Sequence, residues 1–518
     1  MRSQSLPPPA KVETELWLDE AIWGHRLYDE QTPWMTLLEM LGVLATHRGP
    51  GPFSESEGFG GVTYAPVRRM ALRNILFNNP FIEEVQRRGG SDAEQWEAWI
   101  GRMKTEAEGL GSETDFAYLR KVFAAKSGSF GEFADVVRLL RTTSIEGDSN
   151  KRWTSKFAFP YGPACLYPDL RLKPGGELDM DRRFFARTGE LVYVMLCRSG
   201  RGAELYERLK PVVLDAAAPW NRLVDRLQPQ AGAAPVEART GFLPYARHTD
   251  FTAFAGDLIT ALDARLPGYD VLPHLVDLIG LHLVLYVLRR AAEWSPDDGP
   301  VRLVLEIVAP KRTTVRDLAI ESFANNSRRT TKAVDGYITE VVAESDAWRD
   351  ACALVDDAER VEAMRAVLRE TLRADGGKID GGAAPERVLE GVREWAARRH
   401  GQHMGEVHAA YAQAIGLASR RGTRRVRYAP SDQLLKTLVL TVVRERMEFQ
   451  QFLVALRERY SMVIGHHQAA YILKDGESDQ KSFEDNARRL EMRLESLGLL
   501  TRLSDACAYV ESPVRGAR

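Results

Sequence analysis

The chain has 518 residues, more than one hydrophobic core holds, so several domains are expected. Hydrophobic residues make up 44% and charged residues 27%, as in ordinary soluble proteins. The net charge of −2 excludes a polycation that would bind nucleic acid over its whole surface.

Residues 1–12 carry Pro7-Pro8-Pro9 and no apolar run, and read as a disordered tail rather than a signal peptide. A helical domain is expected over 13–228, with a loop-rich segment near 150–180. Its N-terminal aromatics Trp17, Trp23, Tyr28 and Trp34 read as packed core, the alternative being a ligand cage or partner surface. The glycines Gly58, Gly60 and Gly61 lack the Lys-Ser/Thr of a phosphate loop and follow no apolar strand. Amphipathic stripes place helices at 92–108, 113–126 and 130–141. Asp179 and Asp181 have the spacing of cation ligands, but Arg182 and Arg183 follow them, and a solvated turn is expected. Pro168-Asp169 is a possible first half of a scattered-carboxylate nuclease site, with no convincing E-x-K after it. Gln228–Thr240 reads as a linker.

A second helical domain is expected over 241–420. Leu275–Leu288 is apolar but broken by Asp277 and His282 and too short to span a bilayer, so it reads as a buried helix. Val301–Ala309, β-branched and bounded by prolines, reads as a strand. Asp317–Lys332 gathers Glu321, Ser322, Asn325, Asn326 and Ser327 beside Arg328 and Arg329; a capped helix end is expected, with phosphate contact as the alternative. His400, His403 and His408 with Glu406 form the one histidine cluster, but the pattern is not H-E-x-x-H, and surface or interface histidines are expected rather than a metal site. Cys165, Cys197, Cys352 and Cys507 include no C-x-x-C pair, which speaks against disulfides and structural zinc and for a reducing cytoplasm. There is no Walker A sequence and no G-x-S-x-G, and no cofactor is expected.

The sharpest pattern is C-terminal, over 428–512. Ser431 caps a helix carrying Leu434, Leu435, Leu438, Val439 and Val442; a second helix carries Phe449, Phe452, Leu453 and Leu456. Ser482 and Asp485 match a capping box before a third helix with Phe483, Ala487, Leu490, Leu494 and Leu497, and Gly498 is its natural stop. Two short strands, Leu499–Leu503 and Cys507–Val510, follow. Helix, helix, capped helix, hairpin is the order of a winged helix, interrupted by an insertion-like segment at 461–473. The expected fold class is therefore mainly α and multidomain, with minor β and a winged-helix-like C-terminal module. Consistent caps, stripes and turns lead to the expectation that about 425–512 folds alone.

From Arg420 to Arg518 there are 18 Lys/Arg against 13 Asp/Glu. Arg420, Arg421, Arg424, Arg425 and Arg427 precede the module, and Arg488, Arg489 and Arg493 lie on its third helix; together they are the candidate phosphate-binding residues for double-stranded DNA, with a solubilising linker as the rival reading of the first five. Asp485 and Glu495 on the exposed face would repel phosphate and leave a protein partner open.

Tyr428-Ala429-Pro430-Ser431-Asp432, Arg489–Leu500 and Ser504–Val510 resemble the end of the non-ATPase subunits of bacterial phosphorothioation-dependent restriction systems (the DptG type) and of methylation-associated defence systems. Tyr28–Trp34 also resembles the second group. The resemblance covers only these two ends, and its motifs are not catalytic. It implies a cytoplasmic, non-catalytic subunit of an anti-phage complex, with ATPase, helicase or nuclease work in partner subunits. A metal-dependent nuclease with dispersed carboxylates and a DNA-binding transcriptional regulator are the alternatives.

Overall fold

A computed structural model describes residues 15–55, 61–107, 115–124, 128–142, 162–166, 170–172, 178–180, 187–228, 233–235, 238–246, 248–267, 269–308, 313–374, 382, 384–420, 425–470, 477–504 and 507–512. The tail at 1–12, Gly58, Gly60, Asp169, Asp181, Arg421 and Arg424 fall outside them. The protein is mainly helical, as expected, and divides into two compact units.

The N-terminal helix α1 (Leu18–Trp23) belongs to the unit that holds the C-terminal half. The other unit spans residues 34–197 and 202–241. It contains α2 (Pro33–Thr46), α3 (Met70–Leu76), α4 (Phe81–Arg88), α5 (Asp92–Glu106), α6 (Ala117–Ala124), α7 (Phe130–Thr142), α8 (Thr188–Cys197), α9 (Gly202–Val213) and α10 (Pro219–Leu227). Ser91 and Glu94 close a reciprocal capping box that starts α5. Trp96 and Trp99 of α5 then bury against Phe116, Phe130 and Phe133, with the Trp99 and Phe133 ring centroids 4.8 Å apart. Small two-stranded sheets edge this unit: β1 (Gly61–Tyr64), β2 (Val67–Arg69), β3 (Leu170–Leu172), β4 (Leu178–Met180), β5 (Ala233–Pro235) and β6 (Arg239–Phe242) pair as β1–β6, β2–β5 and β3–β4. The expected linker at 228–240 thus holds two strands: short Ala and Pro stretches pair where a partner edge is offered.

The larger unit is built on α11 (Thr249–Leu262) and α12 (Val271–Glu293). Among the described residues, α12 alone is long and apolar enough to cross a membrane, yet 89% of its most apolar window is buried inside the fold, as expected of a core helix. Strand β7 (Leu303–Val304) is much shorter than the Val301–Ala309 pattern suggests. Helix α13 (Thr314–Ile338) follows, capped by the Thr313 hydroxyl, and runs into a π-turn at Thr339–Ala343. Then come α14 (Asp346–Cys352), α15 (Asp357–Leu372), α16 (Pro385–Gly401) and α17 (Met404–Ala414). The unit closes with β8 (Ala418–Ser419), β9 (Arg427–Tyr428), α18 (Asp432–Val442), β10 (Arg446–Glu448), α19 (Phe449–Tyr460), β11 (Met462–Val463), the single turn α20 (His466–Ala469), α21 (Glu477–Ser496), β12 (Leu500–Ser504) and β13 (Cys507–Glu511).

The C-terminal elements follow the expected order closely. Ser431 caps α18, its hydroxyl accepting from Leu434 N at 3.1 Å, and Gly498 ends the third helix with φ +69°. One detail is corrected. Helix α21 already begins at Glu477, so Ser482 and Asp485 lie inside it and form no starting box. The strands β10, β13 and β12 make an antiparallel three-stranded sheet in that order.

The boundary expected near 420–428 is not found, because 242–512 clusters as one unit. The insertion-like segment explains this: β11 pairs in parallel with β7, from the region assigned to the central domain. Asn486 of α21 donates to Leu305 O and accepts from Ile307 N, at 2.9 and 2.8 Å. Both segments share one set of backbone hydrogen bonds, and neither closes its core alone.

Candidate functional site

Of the arginines expected to bind phosphate, Arg420, Arg425, Arg427, Arg488, Arg489 and Arg493 are among the described residues, and their surroundings differ. Arg420 and Arg425 are exposed. Arg427 is not available: it is 2% exposed and its guanidinium pairs with Glu306, which also receives Arg316 Nε at 2.9 Å. Both residues of β9 are buried, and Arg427 meets there a buried carboxylate that requires a cation. Arg493 pairs with Asp432 at 2.6 Å and donates to Pro430 O at 3.0 Å, so it clamps the start of α18. Arg489 is half buried, with Nε and Nη2 enclosed and unpartnered. Arg488 is exposed on α21, one turn from Met492, which is 60% exposed. The exposed stripe of α21 reads Lys481, Glu484, Arg488, Met492 and Glu495, a mixed-charge face with one apolar centre. On the adjoining sheet Arg502 pairs with Glu491 and Arg446 with Glu511, so those charges are compensated locally.

Of the histidines expected at a surface or interface, His400 and His408 are interior groups and His403 is partly exposed. His400 Nδ1 lies 2.8 Å from Asp19 Oδ1, and the ring stacks on Trp23. His403 meets Asp29 at 3.1 Å, and α16 ends between the two histidines, so they share no helix face. His408 is buried, with Nε2 2.7 Å from the Tyr428 hydroxyl and Nδ1 3.2 Å from Ser327 Oγ. Burial pushes the His408 imidazole down to about 3, so it is neutral near pH 7. Trp17 and Trp23 are core, as expected. Among the described residues no three His, Cys, Asp or Glu side chains gather as a metal would require.

The polar run Asp317–Lys332 is not a helix end. It is the middle of α13, a helix of 25 residues. Ser and Asn are weak helix formers, costing about 0.5 kcal/mol each relative to Ala; here tertiary bonds hold them. Ser322 Oγ and Asn326 Nδ2 both donate to Arg302 O at 2.9 Å, and Asn326 also donates to the Tyr428 hydroxyl at 2.9 Å. The outcome is a groove of about 620 Å³ between one face of α13 and the segment leading into β7. Thr314, Leu318, Ser322, Asn325, Arg329 and Lys332 line it from α13, and Asp298, Pro300, Arg302 and Val304 from the other side. Asp298 and Arg302 were not legible as site residues, because nothing in their local pattern shows which helix they face.

No family model, curated protein or solved structure matches this chain.

Proposed function

We propose that this chain is a non-catalytic subunit of a bacterial anti-phage defence complex that docks a partner subunit through its C-terminal elements. The order α18, β10, α19, α21, β12, β13 with a β10-β13-β12 sheet supports a winged-helix reading of this region, with β11 and α20 as an insertion. The observation that carries the docking role is the outward face of α21, where exposed Met492 sits between Arg488 and Glu495. A mixed-charge face around an apolar side chain suits a protein surface, whereas Glu484 and Glu495 on the same stripe would meet a phosphate backbone with repulsion. The test is purification of the tagged full chain from its bacterial host. The expected result is a stoichiometric partner subunit that is lost from the Arg488→Glu/Met492→Glu variant; equal recovery with both proteins would refute docking through α21.

Duplex DNA is the second reading, favoured by the exposed Arg420 and Arg425 within the basic run. If those side chains touch phosphate, replacing both with Ala lowers the salt dependence of duplex binding by about two contacts, or ~1.8 in the slope of log K against log salt. An unchanged slope would remove DNA from this run.

A further inference from the structure

We infer that the groove along α13 is a binding site for a small phosphate-bearing ligand of nucleotide size. Four cationic side chains, Arg302, Arg328, Arg329 and Lys332, line it, against two acidic ones, Asp298 and Glu321. On a chain whose net charge is −2, this is a local concentration of positive charge in a concave site. Its volume of about 620 Å³ lies within the ~300–1,000 Å³ of ordinary small-ligand sites. The residues are ordered for the purpose by the helix. Asn325, Arg328/Arg329 and Lys332 recur at three and four residues, so their side chains project from one face.

Arg329 is the observation that points to an anion. It is 4% exposed, and its guanidinium donates to Gly299 O at 2.7 Å and Asp298 O at 3.0 Å. Neither acceptor is a carboxylate, and Nε is enclosed without a partner. Burial lowers the affinity of this group for its proton, with the nearby charge of Asp298 opposing. A buried cation whose hydrogen bonds all go to backbone carbonyls, and whose nearby Asp298 is shared with Lys332, gains from a further anion. Arg328, held by Asn325 Oδ1 at 2.8 Å, and Lys332, held by Asp298, stand exposed at the rim, where they can turn to a ligand. Leu318, Val304 and Pro300 provide the apolar wall that a sugar or base would cover, while Ser322 Oγ and Asn325 supply polar contacts.

The experiment is calorimetric titration of the full chain with pyrophosphate and with ATP at low salt. Wild type and Arg328→Ala/Lys332→Ala are compared; both side chains are exposed, so the fold should survive their loss. The control variant is Arg398→Ala, an exposed arginine of α16. Saturable one-site binding, weakened on the order of tenfold or more in the double variant and unchanged in the control, is the expected result. ATP binding more tightly than pyrophosphate would assign the apolar wall to the nucleoside; equal affinity would assign the site to phosphate groups alone, and either outcome keeps it a phosphate site. Absence of binding by both probes at millimolar concentration, or equal loss in the double variant and the control, would overturn the inference. Because α21 is untouched, partner recovery is read independently of this result.

Discussion

Arg427 illustrates why a basic run is a poor guide to a nucleic-acid surface. Within one run, Arg425 is exposed and Arg427 is buried on Glu306, a difference decided by the buried carboxylate that only Arg427 meets and that its local sequence does not reveal. Removing Arg427 leaves the buried Glu306 with Arg316 as its one remaining cation and one carboxylate oxygen without its charged donor, a loss of about 1–3 kcal/mol. Arg427→Ala should therefore lower the melting temperature by several degrees, whereas Arg488→Ala, exposed, should leave it within about one degree. Equal melting curves for both would contradict the buried assignment. Asp277, which interrupts the apolar run of α12, is kept by Thr437 Oγ at 2.7 Å and Gln433 Nε2 at 3.2 Å. Burial nevertheless pushes its carboxyl up to about 6 from 3.8, against those two hydrogen bonds. The folded state then holds the proton that the unfolded state has released between those pH values. Its contribution is present at low pH and is lost as pH rises from about 4 through 6, by up to about 3 kcal/mol. Asp277→Asn should melt above wild type at pH 8, with the gap closing at about pH 4; a gap independent of pH would refute the shifted carboxyl.

At the scale of elements, legibility depended on whether the stabilising partner lay nearby in sequence. The C-terminal helices were readable because their caps and stripes are local: Ser431, Gly498 and the leucines of α18 and α21 fix their own boundaries. The middle of α13 reads as an end because Ser322, Asn325, Asn326 and Ser327 disfavour helix locally, and the Arg302 carbonyl that holds Ser322 and Asn326 lies 20 and 24 residues upstream. The burial of His408 is illegible locally for the same reason, since its partners Ser327 and Tyr428 come from other elements. Helix α13 also depends on one close approach. A Cβ on Gly336 would stand 1.9 Å from the carbonyl oxygen of Trp294, at the end of α12, just before the π-turn. Backbone cannot yield as a flexible side chain can, so Gly336→Ala should cost about 2–3 kcal/mol. Thermal melting of that variant beside Gly401→Ala, where nothing lies within reach of the added carbon, isolates the contact; matching losses would show that helix packing there is looser than the structure has it.

At the scale of the whole molecule, the module that sequence patterning suggests to be self-contained is joined to the rest of its unit by its backbone. Leu303 N and Leu305 N donate to Ser461 O and Val463 O, each at 2.9 Å, and Glu306 N donates to Tyr428 O at 3.0 Å. Cutting the chain at 425 would strip β11 of β7, Asn486 of both its partners on 305–307, and Tyr428 of Asn326 and His408. Each buried polar group left unmade costs about 1–3 kcal/mol, and several together reach the ~5–15 kcal/mol that holds a domain folded. Fragment 425–512 expressed alone should therefore show no cooperative thermal transition, despite locally consistent sequence signals. Co-expression with 248–424 should restore one, since that piece supplies β7, α13 and α17. A sharp transition in the isolated fragment would mean that the cross-pairing is dispensable, and would return 428–512 to the status of an independent domain.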